Sequence, residues 1–182
     1  EARGWQPPVY AHIPLIHGAD GAKLSKRHGA LGVDAYRDMG YLPEAILNYL
    51  CRLGWSHGDD EFFSMDQASE WFDISDINKG PARFDFDRLR HLNARYIDVA
   101  DNERLLDLAL PGIEQQIGHP LSDIVKKRLL SGMDGLKSRA ETIPHLADLA
   151  LFYAADRPIV YAEKAAATLD ADARELLSDL RP

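Results

Sequence analysis

Apolar residues recur every three or four positions through much of this chain, and that spacing predicts a mainly α-helical protein. Pro43 opens the clearest helix: Leu42, Ile46, Tyr49, Leu50 and Leu53 share one face, and Gly54 stands where a C-terminal glycine belongs. Before it, Asp34 can cap a short helix through Met39 that Gly40 stops. Residues 65–72 predict another helix, with Ser64 or Asp66 at its start, and residues 74–81 a loop. From Asp85 a helix runs to about Ile97, with Phe86, Leu89, Leu92 and Tyr96 on one face. Further helical segments at 105–110, 121–133 and 143–153 are punctuated by Pro111, by Gly118 to Pro120 and by Pro158, and a last amphipathic stretch spans 172–180. A short β element is predicted only around residues 9–16 and at 29–33. A soft boundary near residue 100 separates a mixed loop-and-helix module from a small helical bundle.

Between two apolar segments, residues 12–29 concentrate cationic and loop-forming side chains. Gly18, Gly21 and Gly29 permit tight turns and close approach to a ligand. Lys23, Lys26 and Arg27, with His28, bring positive charge to the same few residues, and Ser25 between the lysines can donate a hydrogen bond. Such a stretch suits a polyphosphate. A basic solvated loop without a ligand is the bland reading of the same residues.

The net charge of -8 argues against a nucleic-acid partner until its distribution is considered. Residues 1–58 hold six Lys/Arg against five Asp/Glu, whereas residues 59–182 hold fifteen against twenty-four, so the acidity lies away from the loop. Two further basic groups stand out. Arg83, Arg88, Arg90 and Arg95 lie on or near the helix that starts at Asp85, and Lys126, Lys127 and Arg128 lie on a later one, with Lys137 and Arg139 beyond. Each is either a solvated helix face or a phosphate-contacting patch. Cys51 is the single cysteine, so neither an internal disulfide nor a cysteine-based zinc cluster can form, and the seven histidines show no metal-ligand spacing. No apolar run is long enough to cross a membrane and no signal peptide is evident, so a cytoplasmic location is expected.

Lys23-Leu-Ser-Lys-Arg resembles the second signature of class I aminoacyl-tRNA synthetases, Lys-Met-Ser-Lys-Ser, in its glutamyl-tRNA synthetase variant. Five residues are a weak signal, but the flanks strengthen it. Tyr10-Ala-His-Ile-Pro-Leu-Ile, Asp20-Gly and Arg27-His-Gly-Ala are similar to that family, as are Tyr41-Leu-Pro-Glu-Ala-Ile-Leu, Leu53-Gly-Trp-Ser-His-Gly-Asp, Phe84-Asp, Leu92-Asn and Tyr96-Ile, in the expected order. The likeness is clear over residues 5–100 and loose beyond.

The resemblance implies ATP-dependent activation of glutamate, then transfer to tRNA(Glu). Lys26 would stabilise charge growing on the departing pyrophosphate, with Lys23 in support, while Lys23, Leu24, Ser25, Lys26 and Arg27 form the ATP-binding loop. Arg83, Arg88, Arg90, Lys126, Lys127 and Arg128 are candidate tRNA contacts. Residues 1–30 would end the catalytic region, 31–100 form a stem-contact helical module, and 101–182 the first part of an anticodon-binding helical bundle. Glutamate would be held by a preceding N-terminal domain, so this part alone is expected to be inactive. Mg2+ is expected to arrive with ATP in the full-length parent, with no metal held tightly by this chain. The competing readings are a relative that glutamylates a modified tRNA base, a glutaminyl-tRNA synthetase, and a free-standing RNA-binding or interaction module with a relic loop.

Overall fold

A computed structural model describes residues 3–6, 8, 10–25, 31–155 and 163–179. Helices dominate, as the spacing predicts. The elements run β1 (Ile16–His17), α1 (Val33–Asp38), α2 (Pro43–Arg52), α3 (Met65–Trp71), a 3-10 turn (Ile74–Asp76), β2 (Ala82–Arg83), α4 (Phe86–Val99), α5 (Asn102–Ile117), α6 (Asp123–Lys137), α7 (Ile143–Ala154), α8 (Glu163–Thr168) and α9 (Ala171–Asp179). No helix among the described residues is long and apolar enough to cross a membrane.

Local chemistry sets most of the boundaries. Pro43 opens α2, where its missing N–H costs nothing. Ser64 and Gln67 form a reciprocal capping box on α3: the Ser64 hydroxyl accepts the Gln67 N–H, and the Gln67 side chain accepts the Ser64 N–H at 2.9 Å. Asp85 caps α4 by accepting the N–H groups of Asp87 and Arg88, while Asp101, Ser122 and Thr142 cap α5, α6 and α7.

Four expectations need correction. The short helix begins at Val33 with Gly32 before it, and Asp34 instead lies inside its first turn, paired with Arg37 at 3.2 Å. Leu50 is 47% exposed because α2 turns Ala45, Asn48 and Tyr49 inward. Pro111 does not end a helix: α5 passes through it, since Leu105, Leu106 and Ala109 before it and Ile113 after it bury on one continuous face. The β element is Ile16–His17, straddling the end of the 9–16 stretch, and its partner Ala82–Arg83 lies where no strand is expected. Residues 31–33 form no strand, and residues 29–30 lie outside the described residues.

β1 pairs in parallel with β2, Ile16 opposite Ala82 and His17 opposite Arg83. The Ala82 N–H donates to Leu15 C=O and the Phe84 N–H to His17 C=O at 2.8 Å. Just past β2, the Tyr49 hydroxyl accepts the Asp85 N–H at 2.6 Å and donates to the Asp85 C=O at 2.9 Å. The strand pair is thereby tied to α2.

One apolar core runs from Tyr41 and Leu42 through α2 and α4 into α5, α6 and α7. Helix α2 packs on α4, α4 meets α6, and α5, α6 and α7 pack on one another. Trp55, Phe63 and Ala68 make a smaller cluster beneath α3. Two asparagines are fully buried. The Asn48 carbonyl oxygen accepts from the Tyr96 hydroxyl at 2.9 Å and from the Phe63 N–H, and Asn93 bridges two connecting segments. Burial, with the Glu44 charge behind it, pushes the Tyr96 hydroxyl up to about 12, so it stays protonated and donates throughout the ordinary pH range.

Candidate functional site

The chain leaves β1 through a tight turn. The Gly18 N–H donates to Ala22 C=O at 2.9 Å, the Gly21 N–H to Gly18 C=O at 3.0 Å, and the Ala22 N–H to Asp20 Oδ1. Gly21 has φ of +77°, a conformation other residues rarely adopt. The return strand bridges His17 at Lys23, and the Leu24 N–H donates to Ile16 C=O at 2.9 Å. Lys23 is exposed, Leu24 packs half-buried against the core, and Ser25 is half-buried. Lys26 and Arg27, expected to complete the ATP-binding loop, lie outside the described residues, as does His28.

A cleft of about 600 Å³ separates this turn from the start of α4, lined in part by Asp20, Leu24, Arg83, Asp85 and Asp87. Among the described residues it presents three carboxylates and one guanidinium. The carboxylates have structural work: Asp20 closes the turn and Asp85 caps α4.

The parallel strand pair sets Arg83 beside the turn, its guanidinium 3.8 Å from where a Gly21 Cβ would stand. Arg83 also lines a second groove, of about 420 Å³, together with Tyr49, Arg52, Asn78, Pro81 and Arg88. Here, among the described residues, three guanidinium groups face one carboxylate, Asp85, which lines this groove too. Arg52 and Arg88 both reach Glu61 Oε1, at 2.9 and 2.6 Å, so two guanidinium groups share one carboxylate. The Arg52 charge first, then the Arg88 hydrogen bond and charge, hold the Glu61 carboxyl below the usual glutamate range. Arg95 lies over the Phe62 ring at 4.7 Å, about two helical turns beyond Arg88. Planar, weakly hydrated guanidinium groups fixed at the wall of a groove suit phosphate oxygens.

Of the candidate tRNA contacts, the structure thus brings Arg83 and Arg88 together. Arg90 faces Asp87 at 3.6 Å and Glu141 at 3.9 Å. On α6, Lys127 is exposed and Lys126 half-buried, while Arg128 donates to the Tyr153 C=O at 3.1 Å and so satisfies the C-terminal end of α7. Lys137 does the same for α4, donating to Ala100 C=O. Sequence reasoning missed Arg52 and Glu61. The basic position at the end of α2 was the only signal, and nothing local says that it meets Arg88. Among the described residues no group of three or more His, Cys, Asp or Glu could hold a metal ion.

Residues 1–91 match the family described as tRNA synthetases class I (E and Q), catalytic domain. The chain belongs to this family. It is 56% identical over 179 residues to glutamate–tRNA ligase 2 of Rhodospirillum centenum, covering 98% of this chain and 38% of that protein. It is 59% identical over 169 residues to the glutamate–tRNA ligase 2 of Paramagnetospirillum magneticum, covering 93% of this chain and 35% of that one. Among solved structures, a glutamate tRNA ligase from Elizabethkingia meningosepticum in complex with its amino acid superposes with a TM-score of 0.77 at 29% identity, over 98% of this chain and 39% of that one. The chain therefore spans well under half the length of these class I synthetases.

Proposed function

We propose that this chain is the portion of a glutamate–tRNA ligase that begins just before the second class I signature, and that it supplies the ATP-phosphate loop and a tRNA-binding surface. The observation that carries the reading is the 56% identity to a glutamate–tRNA ligase across 98% of the chain. In the whole enzyme, glutamate attacks the α-phosphate of ATP, and pyrophosphate leaves as glutamyl adenylate forms. The ribose hydroxyl at the end of tRNA(Glu) then attacks the adenylate carbonyl and releases AMP. Lys26 is assigned to the charge developing on pyrophosphate, Lys23 to supporting the loop and the phosphates, Ser25 and the backbone of the turn to orienting it, and Arg27 to adding charge or holding the closed loop. The groove of Arg52, Arg83 and Arg88 contacts tRNA phosphates, and α6 presents Lys126 and Lys127 to a second part of the same RNA. Glutamate, ATP and tRNA(Glu) are the substrates of the full-length parent, and Mg2+ accompanies ATP there.

In the full-length parent, Lys26→Ala is expected to slow ATP–pyrophosphate exchange by roughly 100- to 1000-fold, with little change in tRNA binding. The chain itself is expected to bind a tRNA(Glu) transcript, with log Kd rising as log salt rises. Each of Arg52→Ala, Arg83→Ala and Arg88→Ala is expected to weaken binding and to lower that slope by roughly 0.7 to 0.9. Unimpaired exchange in Lys26→Ala, with RNA binding kept by the chain, would instead favour a free-standing RNA-binding module with a relic loop.

A further inference from the structure

The continuous apolar core between the arginine-groove module and the α5–α7 bundle is crossed by directional polar contacts. Asn93, fully buried on α4, accepts the Leu42 N–H at 2.8 Å and donates from Nδ2 to the Glu141 C=O at 2.7 Å. Leu42 is the N-terminal cap of α2, and Glu141 lies in the link between α6 and α7, so one planar amide ties together segments 51 and 48 residues distant from it in the chain. Beside it, the Ile143 N–H donates to Gly40 C=O at 3.1 Å, with Gly40 at φ of +80°. A Cβ there would stand 2.9 Å from Ile143 N and overlap Pro144. Arg104 on α5 makes a two-pronged contact with Glu44 on α2, its second prong at 3.1 Å.

Apolar burial is non-directional and does not by itself demand one donor–acceptor register. A buried amide with its donor and acceptor both engaged has one register, and losing a partner leaves an unsatisfied polar group in the interior. The Lys137 ammonium joins the C-terminal end of α6 to that of α4 through Ala100 C=O. Arg88 lies near the far end of α4, and Lys126 and Lys127 near the far end of α6, each roughly 15 to 18 Å along its helix from that meeting point. Two basic faces are therefore carried on one braced frame.

We infer that Asn93 and the joint around it are positioning elements, holding the arginine groove and the basic end of α6 at a fixed separation so that one RNA molecule engages both at once. This rests on the RNA-binding reading above. A fixed span makes the second contact intramolecular, and the gain in affinity comes from geometry with no new contact. Loosening the joint leaves each face able to bind its own piece of RNA and removes that gain.

The test measures dissociation constants by fluorescence anisotropy for a tRNA(Glu) transcript, its acceptor-arm hairpin and its anticodon-arm hairpin, on the wild-type chain, Asn93→Ser and Arg104→Gln. The wild type is expected to bind the transcript at least about tenfold more tightly than the better hairpin. Asn93→Ser is expected to keep each hairpin within about twofold and to lose most of the tenfold advantage; a purely structural defect would weaken all three RNAs together. Arg104→Gln removes an exposed side chain of the same joint and is expected to lose part of the advantage, which keeps the test decisive if Asn93→Ser does not fold. An undiminished advantage in both variants, or its absence in the wild type while the hairpins bind, overturns the inference and leaves the proposed function standing. No binding of any RNA removes the RNA-binding reading and this inference with it.

Discussion

The two halves of this molecule are built from different materials. In the bundle, small residues let helices approach: Gly112 of α5 sits against Ala147, and Gly132 of α6 lies under the Tyr153 ring, where a Cβ would come within 2.6 Å. Ala109, Ala150 and Ala154 complete that apolar contact. The α2–α4 module instead buries Asn48 and Asn93, engages the hydroxyls of Tyr49 and Tyr96, and packs aromatic pairs such as Tyr49 with Phe84 at 5.1 Å. Apolar burial supplies stability without direction, while hydrogen-bonded networks add a donor–acceptor geometry that has to be met. The arginine groove lies in the hydrogen-bonded module, where guanidinium positions have to be held.

The contrast is broken most severely by changes at its two extremes. Leu146→Ala in the bundle core is expected to cost about 2 to 5 kcal/mol, seen as a lower urea midpoint with an unchanged slope. Gly40→Ala is expected to cost about 3 kcal/mol or more, from a positive φ combined with an overlap on α7, and to show a broadened transition as the two halves separate. Tyr96→Phe keeps the ring and removes the hydroxyl from Asn48 and Phe63, an expected loss of about 1 to 3 kcal/mol. Gly132→Ala, in the bundle, should be offset in part by movement of Tyr153 and cost less than Gly40→Ala by thermal denaturation.

The smallest effect sharpens the comparison through pH. Glu61 has a folded pKa below its unfolded value, so its contribution is fully present above about 4.3 and fades as pH falls through the lower folded value. Glu61 and Arg88 are more than half exposed, so Glu61→Gln is expected to lose under about 1 kcal/mol at pH 7 and progressively less as the medium is made acid, read from urea midpoints at neutral and acid pH.

The legible parts of the fold are those written in neighbouring residues. Pro43, Ser64 and Asp85 each mark a helix start by their own chemistry, and α7 appears in the spacing of Leu146, Ala150 and Tyr153. Pro111 misled because a proline's local penalty is visible in sequence whereas the burial of Ile113 beyond it is not. The β1–β2 pairing joins residues 66 apart, Ile16 with Ala82, through two residues each, too short for any alternation to register. The candidate site divides in the same way. Lys23, Leu24 and Ser25 were legible as a loop motif, and Arg83 and Arg88 as a basic run. Arg52 and Glu61 join them only through the packing of α2 on α4.

The Tyr49 hydroxyl offers the Asp85 backbone one acceptor and one donor, the same pair that a neighbouring strand residue would offer. A side chain of α2 thus acts as the next rung of a ladder otherwise only two residues wide, a size that does not persist alone in water. The Asp85 amide should therefore exchange its hydrogen with solvent on the schedule of the helix rather than of the strand. The turn that carries Lys23 inherits its register from α2.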